Sequence, residues 1–277
     1  MNLLFHGAKY FPGATPDIDN IRYEEEFQKG LGGESDEFQL VGQAIWDRWV
    51  QDKWFCEFLY RGGRVADTAP VDRLASMTDE EEQLLLKTTL RKYGHMANCT
   101  VNILSMRQLQ SVLTWARDQP ATTPKIIVEV HERIQGQLTC DLLQDLKEAG
   151  IKVWADDLSF RSPDDMKRIR ELLPALDGVK IGTMDLARAF QVPVIKNPVD
   201  NPSDPGFIPE ANDTLRHNIL QFLRYLNSCH PEMKVVLELA IPLDDVLPPD
   251  LQGLNLFIQG GREGARAYIL EPSVTHN

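Results

Sequence analysis

Short apolar runs alternate with amphipathic segments along most of this chain, and that alternation limits the folds open to it. KIIVEV at 125–130, IKVWA at 151–155 and GVKIG at 178–182 are typical of strands buried on both faces. Segments 139–149 and 162–173 lie between them and carry apolar residues at helical spacing. The repetition predicts a parallel sheet covered by helices, and both a barrel and an open sheet satisfy it.

The pattern extends on both sides of this central part. Two strand-like runs, FQLVGQAIW at 38–46 and KWFCEFLYR at 53–61, are separated by a short polar link and predict an antiparallel hairpin. The other predicted elements are helices that begin at the capping boxes Thr78–Glu81 and Ser105–Gln108 and at Ser162–Pro163, a helix at 213–228, and strands at 98–103, 234–240 and 255–259.

The length of 277 residues falls within the range that a single α/β barrel occupies. Residues 1–36 mix glycine, proline and acidic residues without periodicity, so we expect them to form an N-terminal extension. Residues 37–277 are then expected to form one domain. Within it, the proline-rich segment 192–212 predicts a long loop, and loops of that length are more often functional or mobile than packed.

The composition limits the partners that the protein can bind and indicates the compartment in which we expect it. The chain has 29 basic and 41 acidic residues and a net charge of −12, which disfavours binding to bulk nucleic acid. A small anionic substrate stays compatible, because bound divalent cations reverse the charge of a local site. No apolar run approaches the roughly 18 residues of a membrane span, and the N-terminus lacks the pattern of a secretion signal. We therefore expect a cytoplasmic protein without a membrane partner, in which the scattered Cys56, Cys99, Cys140 and Cys229 are reduced thiols.

Polar side chains that can bind a metal recur near the ends of the predicted strands. They are Glu57, Asn102, Glu129, Asp156, Asp157 and Glu238. Each has an ordinary structural interpretation when taken alone: Glu57 suits an exposed strand position, Asn102 suits a turn, and an aspartate such as Asp156 suits the entry to a helix. In a barrel, however, the carboxyl ends of parallel strands converge on one mouth. We therefore expect these side chains to meet there.

Five carboxylates and Lys180 at one mouth would leave a formal charge of −4, which two divalent cations would neutralise. Because the ligands would be oxygen atoms, without cysteine or histidine, Mg²⁺ or Mn²⁺ is favoured over zinc. A pair of such ions suits phosphoester hydrolysis, in which the ions activate water and stabilise the leaving oxygen. The pattern thus predicts a metal-dependent phosphodiesterase.

The order and spacing of these residues resemble the EAL-domain family, bacterial signalling phosphodiesterases that linearise cyclic di-GMP. The resemblance extends from about residue 38 to Pro272. The matching segments are QAI at 43–45 for Q-P-I, EFLYR at 57–61 for E-A-L-L-R, VNILSMRQL at 101–109 for V-N-L-S-x-x-Q-L, EVHE at 129–132 for E-L-T-E, DDLS at 156–159 for D-D-F-G, VKI at 179–181 for the K-I-D strand, Glu238 for the start of E-G-V-E, and Gln259-Gly260 for Q-G-Y.

The resemblance implies a TIM-like α/β barrel with an N-terminal antiparallel hairpin, and hydrolysis of cyclic di-GMP to linear pGpG by two Mg²⁺ or Mn²⁺ ions. The implied ligands of the first ion are Glu57, Asn102, Glu129 and Asp156, and those of the second are Asp156, Asp157 and Glu238. Lys180 would orient the attacking water and act with Asp157 and Glu238 as the catalytic set. The implied substrate contacts are Gln43, Leu59, Arg61 and Gln259. Glu132 would support the loop after Asp157.

Some motif positions depart from the family pattern. Phe58 replaces the alanine of E-A-L, Gly182 the aspartate of K-I-D, Ile241 the second glutamate of E-G-V-E, and Leu158-Ser159 the F-G pair. All the implied metal ligands are present, which favours an active phosphodiesterase. The alternative is a catalytically weak or inactive domain that acts as a cyclic di-GMP receptor or a protein-interaction module.

Three tryptophans, Trp46, Trp49 and Trp54, cluster around the turn of the predicted hairpin. Large aromatic side chains of this kind serve both subunit contacts and core packing. A homodimer is therefore one interpretation of the cluster, and burial within the chain is the other.

Overall fold

The computed structural model describes residues 38–47, 54–62, 79–160, 162–194, 206–238, 254–259 and 268–269. The predicted extension at 1–36 lies outside the described residues, as do the middle of the predicted loop, at 195–205, and Ile241.

One sheet contains all the strands that the structure describes. The strands are β1 (Phe38–Asp47), β2 (Trp54–Gly62), β3 (Cys99–Ile103), β4 (Ile127–Val130), β5 (Val153–Ala155), β6 (Gly178–Ile181), β7 (Lys234–Glu238), β8 (Asn255–Gln259) and β9 (Tyr268–Ile269). Strands β2 to β8 run parallel and lie side by side in chain order. The alternation of the sequence therefore predicted the sheet correctly, and the curled α/β barrel architecture is confirmed.

Strand β1 is antiparallel to both of its long neighbours, β2 and β8, and so joins the first and last parallel strands. It pairs with β2 from Phe38 opposite Gly62 to Trp46 opposite Trp54. The link at 48–53, where the hairpin turn is predicted, lies outside the described residues. The side chains of the three tryptophans are also outside the description, and the homodimer stays a prediction.

The helices pack on the outside of the strands. They are α1 (Asp79–Tyr93), α2 (Met106–Arg117), α3 (Glu132–Gln135), α4 (Cys140–Glu148), α5 (Pro163–Leu172), α6 (Thr183–Phe190) and α7 (Asp213–Cys229). The capping box of Ser105 and Gln108 begins α2, and Ser162 caps α5 with Pro163 in its first turn, as predicted. No helix in the described ranges combines the length and apolar character needed to cross a membrane.

Two helices were not predicted from the sequence, and each lacks a local signal. Helix α6 follows β6 directly, and its N-cap residue is Gly182, which has no side chain to accept a hydrogen bond from the first turn. It is held instead by burial of Leu186, Ala187 and Ala189. Helix α3 has four residues, which is too short for a hydrophobic period to be visible.

The apolar residues form two layers because side chains alternate between the faces of a strand. The larger layer lies between the strands and the helices, and it includes Phe58, Val128 and Val179. A smaller inner cluster consists of Ile45, Phe55, Ile127, Trp154, Val236 and Phe257. The ring of Phe55 meets the rings of Trp154 and Phe257 edge to face, with centroids 5.0 and 5.2 Å away.

The absence of a side chain at Gly178 leaves room for the ring of Trp154 in the inner cluster. A Cβ atom at position 178 would lie 2.6 Å from Cδ1 of Trp154, which is itself fully buried. We expect Gly178→Ala to lower the free energy of unfolding by about 1–3 kcal/mol, because the ring has no space to retreat into. Urea denaturation would measure this loss. Gly136→Ala is the matched control, since its Cβ would meet only the flexible end of Arg168 at 3.4 Å, and equal effects of the two substitutions would contradict the packing argument.

Candidate metal centre

The inner cluster sets the position of the site, because six of the predicted site residues follow a residue of this cluster, or Gly178 beside it, by two positions along the chain. A spacing of two returns a side chain to the same face, one layer nearer the carboxyl end of the strand. The pairs are Phe55 and Glu57, Ile127 and Glu129, Trp154 and Asp156, Gly178 and Lys180, Val236 and Glu238, and Phe257 and Gln259. A layer of apolar side chains therefore lies directly beneath a layer of polar side chains, at the end of the barrel where parallel strands place functional groups.

Lys180 lies at the centre of this polar layer and is 1% exposed. Its Nζ atom forms ion pairs with carboxylates from four other segments of the chain. The partner atoms are Glu129 Oε2 at 2.8 Å, Glu57 Oε2 at 3.0 Å, Asp156 Oδ1 at 3.1 Å and Glu238 Oε1 at 3.2 Å. The structure thus brings together four of the predicted metal-binding carboxylates around one cation.

Two neutral amides orient the carboxylates at this centre. The Asn102 side chain, on β3, donates from Nδ2 to Asp156 Oδ2 over 2.8 Å. The Gln259 side chain, at the end of β8, donates from Nε2 to Glu57 Oε2. Both contacts join segments that are far apart in sequence, and they restrict the orientations of the two carboxylates.

A second group of carboxylates overlaps the first, because Asp156 and Glu238 belong to both and Asp157 is added. Oxygen atoms of Asp156, Asp157 and Glu238 all lie within 4.8 Å of one another. Asp157 adopts the left-handed backbone conformation with φ of 45°, which aspartate tolerates better than most residues. This geometry matches the pair of adjacent carboxylates that the sequence places after β5.

Burial and the charges of neighbouring carboxylates shift the pKa values of acids in and beside this second group. Burial raises the pKa of Asp157 to about 8, and the charges of Glu238 and Asp156 add to the shift. Burial likewise raises the pKa of Glu238 and of Glu129. Lys180 is affected in the opposite sense: burial favours the neutral amine, but the carboxylates of Asp156, Glu129 and Glu57 raise its pKa well above the usual range. One ammonium group therefore does not compensate all five acids.

The donor atoms fit a hard divalent cation. Among the candidate ligands, three buried oxygen atoms have neither a hydrogen-bond partner nor an ion pair with Lys180: Asn102 Oδ1, Glu129 Oε1 and Asp157 Oδ1. Leaving a buried acceptor unsatisfied costs free energy, and a cation bound at these atoms removes that cost. All the candidate ligands offer oxygen, the atom that Mg²⁺ and Mn²⁺ prefer. The residues that are present therefore suit the ions expected from the sequence.

Gln135 is a site residue that the sequence analysis missed. It ends α3, and its side-chain amide donates to the backbone carbonyls of Val130, at 3.1 Å, and Asp156. The sequence analysis gave the support of the loop after Asp157 to Glu132, which is exposed at the start of α3 and whose charge helps to raise the pKa of Asp157. That role stays a prediction. A side chain that binds backbone carbonyls leaves no motif, so only the chain path across α3 could have indicated Gln135.

The predicted substrate-contact residues are only partly described. The Gln259 side chain is 3% exposed and contacts Glu57, as given above. The backbone of Gln43 lies in register with Glu57, and that of Arg61 with Gln39. The side chains of Gln43, Leu59 and Arg61 lie outside the description, so their contacts with a substrate stay predictions.

Comparison with known proteins bears on the fold. No protein-family model matches the chain, and no curated protein matches it. The chain is similar to the crystal structure of an EAL domain protein from Listeria monocytogenes EGD-e, with a TM-score of 0.54 and 18% sequence identity over 92% of this chain and 95% of that chain. It is also similar to the FimX EAL domain from Pseudomonas aeruginosa bound to c-di-GMP, with a TM-score of 0.52 and 14% identity over 84% and 91%.

A second FimX EAL domain structure gives a TM-score of 0.52 and 15% identity, and the match covers 87% of this chain and 94% of that one. Each match spans nearly the whole of the compared domain, and identities this low bear on the fold alone. The parallel sheet, the antiparallel β1 and these matches agree with one another. The chain has the EAL-domain fold.

Proposed function

We propose that this protein hydrolyses cyclic di-GMP to linear pGpG with the help of two divalent cations, Mg²⁺ or Mn²⁺. The observation that carries the proposal is the convergence of five carboxylates and Lys180 at the carboxyl ends of the parallel strands of an EAL-type fold. Cyclic di-GMP is the ligand in the similar FimX structure from Pseudomonas aeruginosa. It is a small anion, and it suits a site whose negative charge is balanced by cations.

Two overlapping sets of residues are proposed to hold the cations. The first set is Glu57, Asn102, Glu129 and Asp156, and the second is Asp156, Asp157 and Glu238. The unpartnered oxygen atoms of Asn102, Glu129 and Asp157 support this assignment. Bound there, the cations would supply Lewis acidity, which lowers the pKa of water and stabilises negative charge on the phosphate.

The chain's own residues prepare the site for an anionic substrate. Lys180 stays protonated at neutral pH, because the surrounding carboxylates raise its pKa. Its ammonium group donates hydrogen bonds and cannot accept them, so it would orient an attacking water through the water's oxygen. The amides of Asn102 and Gln259 hold Asp156 and Glu57 in fixed orientations, which reduces the reorganisation required during the reaction.

The proposed reaction is the addition of one water to one phosphodiester. The water oxygen forms a bond to phosphorus, the bond from phosphorus to a ribose 3′ oxygen breaks, and that oxygen takes up a proton. The product keeps a 5′ phosphate, as linear pGpG requires. Arg61, Gln43, Leu59 and Gln259 are proposed to contact the nucleotide, with Arg61 suited to a phosphate or to guanine.

A product assay tests this function. Purified protein is incubated with cyclic di-GMP and Mg²⁺ or Mn²⁺, and the nucleotides are separated by chromatography. We expect pGpG to accumulate, EDTA to stop its formation, and an excess of Mn²⁺ to restore it. Absence of both product and nucleotide binding under all these conditions would contradict the assignment of cyclic di-GMP.

A receptor is the second candidate function, and the departures from the family motifs at Gly182, Ile241 and Leu158-Ser159 motivate it. In that case the domain keeps its fold and its ligand but does not catalyse turnover. Calorimetry with cyclic di-GMP in the presence of Ca²⁺ or Mn²⁺ separates the two candidates when it is run beside the product assay. Micromolar or tighter binding without pGpG supports the receptor, whereas product formation supports the phosphodiesterase.

A further inference from the structure

We infer that Gly182 is a positioning residue that places the Asp157 carboxylate among the metal ligands. Resting on the proposed function, the inference concerns how this chain builds the second cation site. The sequence departs from the family pattern at this position, where the K-I-D motif has an aspartate. The structure provides a reason why this chain has no side chain there.

The backbone at Gly182 does not itself require glycine. Its φ of −69° and ψ of 154° are extended values that any L-residue adopts without strain. As the N-cap of α6, moreover, the position would gain from serine, threonine or aspartate, whose side chains accept a hydrogen bond from the first turn. Local structure therefore favours a polar residue at 182, and glycine must be explained by its surroundings.

The side chain of Asp157 explains why position 182 is a glycine. A Cβ atom built on Gly182 would lie well inside van der Waals contact of Asp157 Oδ1 and 3.1 Å from its Cγ. The Asp157 carboxylate thus occupies the space that a side chain at 182 would fill. Its Oδ1 atom is buried there without a hydrogen-bond partner, as expected of an atom that is available to a cation.

The backbone of Asp157 limits its ability to move away. Its φ of 45° is already in the sparsely populated left-handed region. The next residue, Leu158, donates its N–H to the carbonyl of Lys180 over 3.0 Å, which ties the loop to β6 two residues before Gly182. A methyl group at 182 would therefore displace the carboxylate from Asp156 and Glu238, because the backbone beneath it is held.

A double-mutant cycle with two readouts tests the inference. The variants are Gly182→Ala, Asp157→Ala and the double substitution, and the readouts are the thermal midpoint without metal and Mn²⁺ binding followed by electron paramagnetic resonance. In the wild-type background we expect Gly182→Ala to lower the midpoint by about 2–10 °C. We also expect it to lower the affinity for the more weakly bound of the two Mn²⁺ ions by about 10- to 100-fold. In the Asp157→Ala background both effects should vanish, because the clashing group is gone.

Gly136→Ala is the matched control, since its methyl group would make only an ordinary contact with the flexible end of Arg168, and it should leave both readouts unchanged. Equal midpoint losses from Gly182→Ala with and without Asp157 would overturn the inference, because the clash would then lie elsewhere. A lower midpoint with unchanged Mn²⁺ affinity would assign Gly182 a packing role only and would also overturn it. If the wild-type chain binds no Mn²⁺, the proposed metal centre itself fails. The thermal midpoints of the single and double variants, measured without metal, still show whether a side chain at position 182 clashes with Asp157.

Discussion

Replacement of Asp156 by asparagine is expected to abolish pGpG formation, with a loss of roughly 10²- to 10⁴-fold in kcat/KM. Asp156 is proposed to be shared by the two cation sites, and it also contacts Lys180 and Asn102. An amide keeps the shape of the side chain but removes its negative charge, so the affinity for both cations falls together. Metal catalysis of this kind contributes several kcal/mol, which sets the size of the expected loss. Initial rates of pGpG formation at saturating Mn²⁺ measure it.

The loss should come from the site and not from unfolding. Lys180 retains three other carboxylate partners in the variant, so the near-ultraviolet circular dichroism spectrum should match that of the wild type. Asp145→Asn is the matched control: it makes the same chemical change in an ion pair with Arg117 whose side chains are 50% and 58% exposed, and it should leave the rate unchanged. Ready turnover by Asp156→Asn would refute the assignment of the metal centre.

The sequence predicted the sheet and the convergence of the acids for the same physical reason. Strands such as 125–130 and 178–182 are largely apolar, so a parallel sheet between helices was the arrangement that could bury them. Once the strands are parallel, polar residues near their carboxyl ends must approach one another. Glu129 and Lys180 illustrate this: they are 51 residues apart in sequence, and Lys180 Nζ lies 2.8 Å from Glu129 Oε2 in the fold.

Contacts between side chains across the site could not be predicted from the sequence. Lys180 was predicted to offset one charge and to orient water, but its four ion pairs depend on the curvature of the sheet, which no local pattern records. Gly182 appeared only as a departure from a motif, since the carboxylate that fills its space comes from another strand end. Gln135 binds backbone carbonyls, which every sequence offers. In each case the missing information was the distance between segments.

Substitution of Lys180 by methionine is expected to cause the largest loss of stability among the changes considered. Methionine has a similar length, so packing is nearly preserved, but Glu57 and Glu129 would remain buried without their counter-ion. Removing one partner of a buried ion pair costs about 3–5 kcal/mol. We expect a loss of that size in the free energy of unfolding, measured by urea denaturation in EDTA. Mn²⁺ should then stabilise the variant more than it stabilises the wild type, because bound cations replace the missing charge.

Lys167→Met is the matched control, because it removes a lysine from an ion pair with Glu171 whose side chains are 77% and 61% exposed. A surface pair of that kind contributes less than about 1 kcal/mol. If Lys180→Met and Lys167→Met unfold at the same urea concentration in EDTA, the buried carboxylates do not depend on Lys180 and the charge balance described for the site is wrong. A large loss that Mn²⁺ fails to reduce would mean that cations do not bind among these carboxylates. That result would leave the ion pairs of Lys180 intact as structural contacts and would contradict the metal centre on which hydrolysis depends.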